Sequence, residues 1–174
     1  MMTEFKLREA ILATWRTNNR VTSFLFENLP DELWPKKVPS YPRRTVRMIA
    51  GHIHNDRCMW LKMVGKKYGI AAPKSVNRHS VTRDELLPAL ERSSQTIIDL
   101  LEAGLEHGGK ISGFPHGEVT HFMAYLVAHE AHHRGQICML ARQLGHRLPD
   151  NVTGSGLWDW SKRAKEVQTK NLVF

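Results

Sequence analysis

Cysteine is scarce: Cys58 and Cys138 are the two thiols in 174 residues, too few for a disulfide framework and without the CxxC spacing of a redox or zinc pair. Long apolar runs are missing too. The longest, Phe122 to Ala128, has seven residues, well short of the roughly 18 a spanning helix needs, which excludes a transmembrane protein. Glu4, Lys6, Arg8, Glu9 and Arg16 interrupt the apolar residues near the N-terminus, so no secretory signal is expected. Cytoplasm and reduced thiols follow as the expected setting. Strand signals are sparse, and neither an internal repeat nor a low-complexity tract is present. Acidic residues are the minority, 17 against 25 Lys and Arg, giving a net charge of +8 that would attract acidic ligands at low salt. The basic residues are scattered, as Lys36-Lys37, Arg43-Arg44, Lys66-Lys67, Lys74 and Arg78, without interleaved aromatics. A solvated helical surface explains them better than a nucleic-acid face.

The chain does contain helix signals. With 41% hydrophobic residues it can bury a core, and its length fits one domain over residues 1–174. Turn residues divide it into four helix-compatible segments. The first, Glu4 to Glu27, carries Leu7, Ile11, Trp15, Val21 and Leu25 at helical steps and stops before Leu29-Pro30. The second, about Arg44 to Val64, places Ile49, Ile53, Trp60, Met63 and Val64 on one face before Gly65. Gly69 to Ser80 has the breaker composition of a loop. A capping-box pattern, Thr82-Arg83-Asp84-Glu85, then opens a third helix to about Glu106, in which Pro88 is expected to kink the helix or shift its start. A Gly-rich stretch, Gly108 to Gly117, suits a short hairpin, and a fourth helix runs from about Glu118 to Leu144, ended by Gly145. The bundle thus covers about residues 4–145, followed by a tail over 146–174 with Leu157-Trp158-Asp159-Trp160. An all-α four-helix bundle of up-down type with longer connections is the predicted fold.

Ten histidines, seven of them between His107 and His146, are the compositional excess, and neutral imidazole is the commonest transition-metal ligand. At 100° per residue, Phe122, Leu126, His129, His133, Ile137, Leu140 and Leu144 fall within an arc of about 80°. Two imidazoles one turn apart on an apolar stripe can reach one metal ion; hydrogen bonds within the core are the other way to satisfy them. His52 and Asp56 similarly interrupt the apolar face of the second helix. His52 is a candidate third ligand, and Asp56 could orient a ligand imidazole, coordinate, or form a salt bridge. His132 and His54 point off these faces, as do Cys58 and Cys138, which suit packing or a subunit contact.

His129-Glu130-Ala131-His132-His133 also matches the HExxH pattern of zinc peptidases, in which the Glu is a general base. The extended pattern asks for Gly and His where Gln136 and Met139 stand. It also leaves His52 unused, although Glu166 could serve as a distant third ligand.

The residues His129-Glu130-Ala131-His132-His133-Arg134-Gly135-Gln136-Ile137 and Arg142-Gln143-Leu144-Gly145 resemble the last bundle helix of the DinB-like (YfiT-like) family of metal-binding four-helix-bundle proteins. His52 with Asp56, Asn18-Asn19-Arg20, Leu29-Pro30-Asp31-Glu32 and Leu157-Trp158-Asp159-Trp160 extend the similarity over most of the chain. The resemblance implies a homodimer-prone bundle whose His52, His129 and His133 hold a divalent ion, zinc or nickel first, manganese or iron as alternatives. It further implies small-molecule chemistry with a low-molecular-weight thiol, since characterised relatives include thiol-dependent S-transferases and isomerases. A metal-dependent S-transferase or related hydrolase is the expected activity. Non-catalytic metal binding in a stress response is the second reading, an HExxH peptidase a minor third, and nucleic-acid binding rests on net charge alone. On the transferase reading Glu130 has no required role, specificity sits in the two loops, and exposed Cys58, Trp158 and Trp160 offer a dimer surface.

Overall fold

Four long helices make up most of the structure, a computed structural model that describes residues 4–171. They are α1 Glu4–Glu27, α2 Val46–Val64, α3 Arg83–Glu106 and α4 Val119–Gln143. The Thr45 hydroxyl accepts from the Met48 N–H at the start of α2, and Thr82 and Glu85 close the capping box of α3, satisfying donors that helix starts leave free. Pro88 stays within α3 without shifting its start. Gly145 takes φ 80° just beyond α4, the left-handed turn that ends a helix without a Cβ clash. The described part of the tail forms α5 Asp150–Thr153, α6 Ser155–Trp158 and α7 Trp160–Asn171, and α7 lies along α1.

Two short elements modify the all-helical expectation. Strands β1 Lys37–Val38 and β2 Tyr41–Thr45 pair antiparallel between α1 and α2; they are too brief to show alternation, and Pro42 disguises the second. The Gly108–Gly117 stretch contributes one antiparallel bridge, Lys110 to Glu118. No helix among the described residues is long and apolar enough to cross a membrane.

The core is divided into two apolar halves. One gathers Ile11, Leu12 and Trp15 of α1 with Leu61, Val64, Ile97, Leu101, Phe122 and Leu126. The other gathers Leu25 and Phe26 with Ile49, Ile53, Leu86, Leu90, Ile137 and Leu140. The early residues of α1 and α4 therefore meet the late residues of α2 and α3, so α1 and α4 run one way and α2 and α3 the other. Because α2 and α3 are parallel, residues 65–82 must travel back along the bundle between them. Asn55 fastens that crossover through both its amide atoms, donating to Val76 O at 3.0 Å and accepting from Val76 N–H at 2.9 Å. Three apolar assignments move outward or inward: Leu7 and Met63, expected in the core, are 47% and 59% exposed, whereas Cys58, expected at the surface, is 3% exposed. Trp158 is 82% exposed.

Between the apolar halves lies a buried polar layer. Arg57 of α2 donates from Nε and Nη2 to the two oxygens of Glu130 on α4, at 2.7 and 2.9 Å. Its Nη1 donates to Asn19 Oδ1 of α1 at 2.8 Å and to Leu90 O of α3 at 3.0 Å, while its guanidinium lies over the Trp15 ring. One side chain thus ties α2 to all three other long helices. Glu130 also accepts from Asn18 Nδ2 and the Thr22 hydroxyl, at 2.9 and 2.8 Å, and Arg134 donates to both of those residues. Full hydrogen bonding is what makes buried charge tolerable.

Candidate metal centre

Helix periodicity brings His129 and His133 onto one face of α4, and the packing of α2 on α4 brings His52 opposite them. The Nε2 of His129 lies 3.3 Å from Nε2 of His52 and 3.1 Å from Nε2 of His133, and the three donor atoms sit within 4.8 Å of one another. Tetrahedral ligands about 2.0–2.1 Å from zinc stand about 3.3 Å apart, so the spacing is that of three ligands on one ion.

The outward ring nitrogens show why those Nε2 atoms are free. His133 Nδ1 donates to Gln136 Oε1 at 2.8 Å, leaving Nε2 as the lone-pair atom. His129 Nδ1 lies 3.4 Å from Asp56 Oδ2, and both atoms are buried with no hydrogen-bond partner. A proton on that Nδ1 faces the carboxylate and again leaves Nε2 aprotic. Two aprotic nitrogens 3.1 Å apart repel each other, and a cation between them relieves this; the donor set fits a metal ion. A carboxylate behind a ligand imidazole and an amide behind a second are the usual outer partners of such sites.

Electrostatics favour the neutral, ligating form. Burial, His129 and the Arg44 and Arg78 charges lower the pKa of His52. Burial first, then His129, His52 and Arg44, push His133 down to about 4 against a raising hydrogen bond from Gln136. Burial raises Asp56, and Glu130 adds to this while His129 opposes it.

The other candidates fall outside this cluster. His132 is exposed and accepts from Gln136 at 2.9 Å. His54 is fully buried between the Ser93 hydroxyl and Lys74 O, with Cys58 Sγ 3.3 Å away. Burial raises the Cys58 thiol, so it is no ready nucleophile. Glu166 pairs with Arg20 and Arg163, which removes it as a distant ligand. Glu130 requires the largest correction. Expected to be dispensable outside a peptidase, it is fully buried and saturated with bonds; burial raises its pKa, but Arg57, Arg134 and Thr22 outweigh this and hold it low. A carboxylate so engaged cannot deprotonate an attacking water. The missed residue is Arg57, and its signal was readable: it stands four residues from Ile53 and Leu61 and seven from Ala50 and Val64, a charge inside an apolar stripe.

Two grooves lie near the cluster, one reaching His52 and the other reaching Gln136, the partner of His133. One of about 510 Å³ is lined by His52 with Tyr41, Arg43, Arg44, Arg78 and His79. Another of about 610 Å³ is lined by His132 and Gln136 with Arg44, Tyr41 and Met139. Small-molecule sites have such volumes.

Fold and site together define a helical bundle with a three-histidine group, carried by two neighbouring helices, that could hold a metal ion. The chain belongs to the DinB family, whose model matches residues 1–163. No curated protein and no solved structure matches it.

Proposed function

We propose that the protein is a metal-dependent enzyme acting on small molecules, with a thiol S-transferase as the activity its site supports best. The observation that carries this reading is the convergence of the Nε2 atoms of His52, His129 and His133 beside the groove that His52 lines, three protein ligands being the complement that leaves a position for substrate. When bound, a divalent ion there, zinc or nickel first, would lower the pKa of a thiol or polarise a substrate oxygen.

The chain's own residues fill the supporting roles. Asp56 and Gln136 orient His129 and His133, and the buried Arg57–Glu130 pair fixes α2 against α4. Among the described residues no carboxylate lines either groove. That favours a nucleophile needing only its own proton removed over a water activated by a carboxylate base. In the transfer a sulfur–carbon bond forms, the bond to the leaving group breaks, and the thiol proton departs with that group.

The test is thiol consumption with an electrophilic acceptor, using metal-loaded wild type and His129→Ala. Transfer that needs the metal and disappears in the variant supports the proposal. Stoichiometric metal with no transfer across a panel of low-molecular-weight thiols would leave non-catalytic metal binding as the better reading.

A further inference from the structure

The groove against His52 is built from two irregular segments, and both deliver arginine. Strand β2 supplies Arg43 and Arg44; the crossover between α2 and α3 supplies Arg78. Gly51, one residue before His52, allows this approach: a Cβ there would stand 3.2 Å from Arg78 Cβ and 3.3 Å from Arg78 Cα. Arg47 holds the same segment by donating to His79 O at 3.4 Å. The crossover is therefore pinned to α2 beside the three histidines.

Arg43, Arg44 and Arg78 have no acidic or hydrogen-bond partner among the described residues, and no carboxylate lines their groove. Most other arginines are paired, as Arg20 with Glu27 and Glu166, Arg57 with Glu130, and Arg83 with Asp31; Arg16, Arg92 and Arg142 are also unpaired among the described residues, but they line no common groove with one another. Arg44 borders both grooves. Positive charge collected where a cation is also to be held calls for an anion, and a guanidinium fork matches a carboxylate or phosphate.

We propose that this groove is an oxyanion subsite: the small molecule that meets the three histidines carries a carboxylate or phosphate held by Arg44 and Arg78, with Arg43 at the rim. The inference rests on the metal-site reading and names the substrate class for it.

The experiment uses the full chain loaded with cobalt(II). Mercaptosuccinate and 2-mercaptoethanol are titrated separately and followed by near-ultraviolet sulfur-to-cobalt absorption. Wild type should bind mercaptosuccinate tighter by roughly tenfold or more. Arg44→Ala/Arg78→Ala should erase that preference while leaving 2-mercaptoethanol unchanged, and Arg44→Lys/Arg78→Lys should keep part of it. Equal affinities in wild type, or a preference that survives in the alanine pair, would overturn the subsite and leave the metal reading standing. Calorimetry with succinate and with inorganic phosphate tells the two oxyanions apart. It also decides the matter if neither thiol gives absorption or no cobalt is taken up: either anion binding wild type but not the alanine pair supports the subsite alone, and binding of neither anion refutes it.

Discussion

Arg57 and Glu130 form a two-pronged ion pair 2.7 and 2.9 Å long, and each directly follows a residue of the metal centre, Asp56 on α2 and His129 on α4. The buried pair and the Asp56–His129 contact thus join the same two helices at neighbouring positions. Locking the first sets the register of the second, and structure and site share one joint.

That joint makes Glu130 structurally costly to change. Glu130→Gln should destabilise the protein by about 3–5 kcal/mol, because it strands a buried guanidinium, a large share of a typical 5–15 kcal/mol total. Denaturant unfolding with chelator present measures it. Arg57→Leu/Glu130→Leu should cost less than the sum of its single variants. A loss under about 1 kcal/mol for Glu130→Gln would mean the pair contributes little.

Asp56 and Gln136 contact ligand rings without donating to the ion, so their loss should weaken metal affinity and spare the fold. Asp56→Asn and Gln136→Ala should each lose about 10–100-fold in affinity. Competition with a chromogenic chelator reads this, with circular dichroism as the control. Wild-type affinity in both variants would remove the outer partners from the account.

Acid should destabilise the metal-free protein. His52, His54 and His133 all have lowered pKa values, His133 at about 4, so below about pH 6.5 the unfolded chain binds protons that the fold refuses. Stability is full above that pH and is lost progressively down to about 4. Thermal midpoints between pH 7.5 and 4.5 should fall, and fall less in His133→Ala. A flat profile would contradict the neutral histidines.

Much of this was legible because helices repeat. The stripe Phe122, Leu126, His129, His133, Ile137 and Leu140 lies on one face in sequence and in space, and the caps at Thr82 and Gly145 sit where their chemistry places them. The polar layer was harder to read. Glu130 sits inside a motif that suggests catalysis, and its partner lies 73 residues away, so only packing reveals the pair. The groove arginines were hidden for a related reason: their shared mouth depends on a five-residue strand and a crossover, neither with a periodic signature.

The central claim is that His52, His129 and His133 hold one ion. Metal content of tag-free protein, determined by mass spectrometry for wild type and for alanine variants at positions 52, 129, 132 and 133, tests it most directly. One ion per chain is predicted in wild type and His132→Ala, with stoichiometric binding lost in the other three although each stays folded. Full occupancy in His52→Ala, or loss in His132→Ala alone, would contradict the three-histidine centre.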